Sequence, residues 1–138
     1  MQSQEGGTYL AFDEEEIRNQ QAFEAIGLLT RSADFHPDDP RVWIEIAQIY
    51  NNVLSDTLSA AEYFGRAARM ENGPYFAGRL HAELLRRGGR PDAAYQFYRE
   101  WYPSLPAADP FAVKPLVYQR IRELEQELEI PAAEQMAR

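Results

Sequence analysis

The chain has no cysteine, only two histidines and no long apolar run. Without cysteine there are no disulfides, thiolate metal sites or cysteine nucleophiles. A membrane-spanning helix needs about 18 consecutive apolar residues, and no stretch approaches that. The opening Met1-Gln2-Ser3-Gln4-Glu5-Gly6-Gly7 carries neither the basic nor the apolar region of a signal peptide. The compartment stays open, because a cysteine-free chain suits cytoplasm and periplasm alike and a signal or anchor can be removed in processing. Positive charge is also short, with a net charge of -8. Nucleic-acid binding is driven by phosphate neutralisation, so an acidic chain is a poor general binder of it.

Catalytic constellations are missing as well. His36 falls in a turn and His81 in a helical stretch beside leucines, with no second histidine at i+4 and no glutamate to complete a zinc helix. Gly88-Gly89 is not followed by the Lys-Ser/Thr of a phosphate loop. No serine stands in a nucleophile elbow. His36-Pro37-Asp38-Asp39 fits a turn with a capping aspartate better than a metal cluster, and Asp13–Glu16 fits a helix N-terminus, where the dipole favours acids. The expectation is a non-enzymatic protein with no catalytic residue, cofactor or metal.

What is present is enough for one folded domain: 138 residues, 45% hydrophobic and 12% aromatic. The charge is uneven. Residues 1–56 carry -8, residues 57–102 carry +2, and the remainder carries -2. Such asymmetry steers a partner or a second copy of the chain.

Apolar residues recur at helical spacing throughout. Residues 1–12 read as a flexible segment anchored only by Tyr9, Leu10 and Phe12. A helix over about 14–34 follows a cap at Asp13, and its apolar residues Ile17, Ala22, Ala25, Ile26, Leu28, Leu29 and Ala33 cluster in the second half. Asp39 and Pro40 open the next helix, whose stripe is Trp43, Ile46, Ala47 and Tyr50. A helix over about 58–71 buries Ala60, Ala61, Phe64, Ala67 and Ala68. One from Pro74 to Arg87 buries Leu80, Ala82, Leu84 and Leu85, and Gly88-Gly89 stops it. One from Pro91 to about Tyr102 carries Ala94, Phe97, Tyr98 and Trp101. The last starts after Asp109 or at Pro115, with a stripe of Val117, Ile121, Leu124 and Leu128 and a loose tail over 131–138.

These helices nearly repeat. Ala47 and Tyr50 reappear thirty-five residues on as Ala82 and Leu85. Ala60, Phe64 and Ala67 reappear thirty-four on as Ala94, Tyr98 and Trp101, and thirty-five back as Ala25, Leu29 and Ser32. Pro37, Asn72 and Pro106 each stand five beyond the last of a triplet. A period near 34 is that of stacked helical hairpins.

The pattern resembles the tetratricopeptide repeat family, whose motif reads W-x2-L-G-x2-Y, then A-x3-F, then P. Trp43, Ile46, Ala47, Tyr50, Ala60, Phe64 and Ala67 match it, with one extra residue in the hairpin turn and Asn72 for the proline. The next unit keeps Ala82, Leu85, Gly89, Ala94, Tyr98 and Pro106, with Gly78 where the tryptophan would stand. The resemblance covers about residues 22–106. It implies an all-α, TPR-like solenoid with units over about 13–39, 40–74 and 75–108 and a capping helix over 109–130.

It also implies a scaffold or adaptor that binds a peptide or protein in a concave groove. The positions expected to line that groove are Ile44, Gln48, Asn51 and Asn52 in the first full hairpin, and Arg79, Glu83, Arg86 and Arg87 in the next. Three arginines favour an acidic segment or a C-terminal carboxylate. The alternative is a structural subunit of a homo-oligomer or larger complex. It would assemble through the C-terminal helix and through the aromatic surface, with Tyr95 and Tyr102 exposed.

Overall fold

Prolines and aspartates set most of the helix boundaries. A computed structural model describes the backbone of residues 2–136 and the side chains of residues 13–136. The described residues form six α-helices and no strand: α1 (Gln2–Phe35), α2 (Pro40–Asn52), α3 (Thr57–Ala68), α4 (Tyr75–Arg87), α5 (Pro91–Trp101) and α6 (Val113–Glu127). Short 3-10 turns occupy Tyr102–Ser104 and Ala132–Glu134. Asp39 caps α2 by accepting the Arg41 backbone N–H at 3.0 Å, and Pro40 fills the first position, where a missing N–H costs nothing. Asp56 caps α3 by accepting the Ser59 backbone N–H at 3.1 Å. Ahead of α6, the Asp109 carboxylate accepts from the N–H groups of Phe111 and Val113 across a left-handed Ala112. Helix α6 therefore starts between the two expected points, and Pro115 lies in its first turn.

Two termini differ from expectation. Helix α1 starts at Gln2, so Asp13–Glu16 lies inside it and Asp13 caps nothing. Local acidity marks an exposed helix interior as readily as a first turn. The expected anchors Tyr9, Leu10 and Phe12 lie outside the described side chains. The tail expected to be loose folds back as far as Met136, and residues 137–138 lie outside the described part.

The principal helix contacts join chain neighbours, α1 to α2 and onward to α6. Three buried clusters follow in order. Ile26 and Ala33 of α1 meet Val42 and Ile46 of α2. Ile44 and Ala47 of α2 meet Ala60, Ala61, Phe64 and Ala67 of α3 and Ala77 and Leu84 of α4. Ala82 of α4, Ala94, Tyr95, Phe97 and Tyr98 of α5, Leu105, and Val113, Val117, Ile121 and Leu124 of α6 form the third. Ile46 and Ala47 are fully enclosed as the stripe predicts. Trp43 and Tyr50 are half-buried and stack on the two sides of Tyr63, at centroid distances of 5.8 and 5.4 Å.

Leu80, expected in the core, lies at the surface, as do two apolar residues of α1. Ile17 and Leu28 are exposed on α1, and Leu80 is 37% exposed on α4. Apolar type at those positions is real, but no neighbouring helix covers them. Gly78, which stands where the motif carries a tryptophan, has no room for a side chain. A Cβ there would come within 2.5 Å of the Trp101 ring, so an indole from α5 fills the space beside α4.

The C-terminal segment is held by one buried acid. Glu125 is 2% exposed. It accepts from the Tyr95 hydroxyl at 3.0 Å, Arg122 Nη1 at 2.7 Å and the Met136 backbone N–H at 2.7 Å. Burial pushes its carboxyl up, but those three donors outweigh burial and hold it below the usual range. Arg99 adds a 2.9 Å bond to the Glu134 carbonyl. Tyr95 is thus buried within the chain rather than offered to a partner. Tyr102 is half-buried against Tyr118, with Lys114 over its ring.

Two changes test this packing. Gly78→Ala should lower stability by roughly 1–3 kcal/mol, because Trp101 must leave its place; a neutral result in chemical denaturation would contradict the close approach. Glu125→Ala should cost roughly 2–4 kcal/mol by orphaning the Tyr95 hydroxyl and unpairing Arg122, and should raise hydrogen exchange over residues 131–136.

Candidate functional site

Helix α4 commits one face inward, with Ala77, Gly78, His81, Ala82 and Leu84 buried. The rest of it faces outward, and there Phe76, Arg79, Leu80 and Glu83 join residues from α2 and α6 around two adjacent clefts. The first encloses about 900 Å³ and is bounded by the α1–α2 turn from Phe35 to Arg41, Ile44 and Glu45 of α2, Asn72, Pro74 and Phe76. The second encloses about 370 Å³ between Phe76, Arg79, Leu80 and Glu83 of α4, Tyr98 of α5, and Leu116, Val117 and Arg120 of α6. Phe76 lines both, so the two clefts adjoin across one side chain on the face that α2, α4 and α6 share. Phe76 and Leu80 give it an exposed apolar floor.

Polar side chains line both clefts, and in the second they are Arg79, Glu83, Tyr98 and Arg120. Arg79 makes no ion pair among the described residues, whereas Arg120 is paired with Glu123 at 2.9 Å. Tyr98 is 4% exposed, and its hydroxyl has no hydrogen-bond partner among the described residues. Burial first, and the Glu83 carboxylate second, push that hydroxyl up to about 12, against the pull of Arg120, Arg79 and Arg86. The phenol is therefore a neutral donor at the cleft floor.

The eight positions expected in the groove separate. Arg79 and Glu83 line the second cleft. Ile44 borders the first but is itself buried in the α2–α3–α4 core. Gln48, Asn51 and Asn52 are exposed yet line neither cleft, and Asn51 bonds to Asn52 at 3.3 Å. Arg86 is held across to α6 by Glu127 at 3.2 Å, and Arg87 is exposed away from both clefts. Phe76, Leu80, Tyr98, Leu116 and Arg120 were not anticipated as groove residues. For the α4 pair the signal was local, since Phe76 and Leu80 stand at i and i+4 beside Arg79. The other three depend on how α5 and α6 come to rest.

The remaining candidate, His81, belongs to the opposite side of α4. Its Nδ1–H donates to the Ala61 carbonyl at 2.6 Å, and its ring meets Phe97 edge-on at 4.6 Å. A Cβ at residue 65 would sit 2.6 Å from that ring, so glycine is needed there. Burial, opposed by that hydrogen bond, and the Arg69 guanidinium together push the imidazole pKa below its ordinary value. Among the described residues no group of three acids or histidines could hold a metal ion, and no helix is long and apolar enough to cross a membrane.

A depressed histidine pKa means that the unfolded chain binds a proton the folded chain refuses. Stability from this site is therefore complete above the ordinary value of 6.5 and declines as pH falls, by at most about 1.4 kcal/mol per pH unit. Asp39 and Glu125, held low, lose their contribution only lower, through the carboxylate range below about 4.5. Urea denaturation between pH 7.5 and about 5.5 should show the decline in the parent and a flatter profile in His81→Gln. No known protein-family model, curated protein or solved structure matches the chain.

Proposed function

We propose that the chain is a non-enzymatic protein-interaction module of the tetratricopeptide-repeat type. In this reading α2–α3 and α4–α5 are the two full hairpins, α1 ends a degenerate first unit, and α6 caps the stack. The groove on α2, α4 and α6 takes an extended peptide or protein segment that is acidic or ends in a free carboxylate. The supporting observation is the second cleft, where exposed Phe76 and Leu80 stand beside an unpaired Arg79 and the free Tyr98 hydroxyl. The apolar floor supplies area, while the guanidinium and phenol supply donors matched to a carboxylate.

The competing assembly through the C-terminal helix has little surface to use. Val117, Ile121 and Leu124 are buried against α5 of the same chain, and Tyr95 is buried with Glu125. Arg86 is also a poor probe of binding, because its loss would break the bridge to Glu127.

A panel of acidic fluorescent peptides, each with a free or an amidated C-terminus, tests the proposal by anisotropy. Binding should weaken as salt rises. Arg79→Glu and Phe76→Ala should each reduce affinity about tenfold or more, equivalent to at least about 1.4 kcal/mol, while Arg87→Glu changes it little. Unaltered binding in both groove variants would place the peptide elsewhere.

A further inference from the structure

Helix α1 has two faces and one neighbour. Ala22, Ile26 and Ala33 are buried on α2. At about 100° per residue, Ile17, Leu28 and Phe35 fall on one line along the opposite side, with Ile17 53% and Leu28 61% exposed. Helix α1 has 34 residues and α2 has 13, so α1 runs well past its neighbour, and no residue from 13 to 21 is buried.

The exposed line complements itself. Turn a second α1 end over end about a point between Ala22 and Phe23, and Ile17 of each copy lies opposite Leu28 of the other. Asp13 and Arg31 share one flank of this line, and neither makes an ion pair among the described residues. The same rotation brings Asp13 to within one residue, about 1.5 Å along the helix, of the level of Arg31, twice. In an antiparallel pair, residues on the same flank are the ones that meet.

We propose that α1 pairs antiparallel with α1 of a second copy of this chain, with two Ile17–Leu28 contacts and two Asp13–Arg31 ion pairs. An interface of this kind is isologous and closes as a dimer. Its contacts, Asp13, Ile17, Leu28 and Arg31, line neither cleft, and only Phe35 at the end of the line also borders the first, so either can be present without the other. Glu24 meets its own copy near the axis and is the one like-charge contact in the register, so removing its charge tightens the dimer.

Sedimentation of the full chain over a range of concentrations tests this. The parent should dimerise, and Leu28→Glu should be monomeric at concentrations where the parent is mostly dimer, with unchanged helical circular dichroism. Asp13→Arg and Arg31→Asp should each weaken the dimer, and the two together should restore it. Glu24→Gln should strengthen it. Orientation is read from single cysteines. Gln21→Cys lies near the axis and should cross-link to its own copy. Glu14→Cys should not, because its copy lies about 25 Å along the helix. A parent that stays monomeric, a dimer indifferent to Leu28→Glu, a double charge swap that fails to restore pairing, or cross-linking at both cysteines would overturn the proposal.

Discussion

Close approach of neighbouring helices is the constraint on which the rest of this structure depends. Ala47, Ala60, Ala61, Ala67, Ala77, Ala82 and Ala94 are all fully buried and lie where one helix meets the next. Gly65 and Gly78 mark places where even a methyl group would collide, with the His81 ring and the Trp101 ring respectively. Interiors packed at crystal-like density tolerate little added volume. Small residues at the contacts therefore fix the spacing, and a few large ones, Phe64, Phe97, Tyr98 and Trp101, fill the volume between.

That division also shapes the candidate site. Because α4 turns Ala77, Gly78, His81, Ala82 and Leu84 inward, Phe76, Arg79, Leu80 and Glu83 are left on the other side. There α2 and α6 stand beside it and convert an exposed stripe into a groove. The polar elements are also shared out by packing. Arg86 is used in holding α6, Arg122 and Glu125 hold the C-terminal segment, and Arg79 makes no ion pair among the described residues. On α1, which has a neighbour on one side only, the same logic leaves an apolar line uncovered.

Most of the helical order was legible in the sequence because its punctuation is local. Asp39-Pro40, Asp56, Pro74, Pro91 and Gly88-Gly89 act within a turn of where they stand, and α2 to α5 begin and end close to the expected points. What escaped was non-local. Leu80 was assigned to the core because an apolar type does not reveal which helix, if any, will cover it. Tyr95 was assigned to a surface because its partner, Glu125, lies thirty residues away. Asn51, Asn52 and Arg87 were placed in the groove by register alone, yet they sit at helix ends outside both clefts. Arg79 and Glu83, near the middle of α4, do line the groove. Gln48, thirty-five residues before Glu83 and at the same place along its helix, lines neither cleft, so register alone does not settle which positions face a cleft.

The proposed binding surface is the face that α2, α4 and α6 share around the two clefts. Backbone amide spectra recorded during titration with an acidic peptide bearing a free carboxylate test it most directly. Shifts should concentrate at Phe76, Arg79, Leu80, Glu83, Tyr98, Leu116 and Arg120, which line the second cleft, with α3 unmoved. Shifts concentrated instead around Glu62, Arg66, Arg90 and Glu100, on the α3–α5 side, would contradict it.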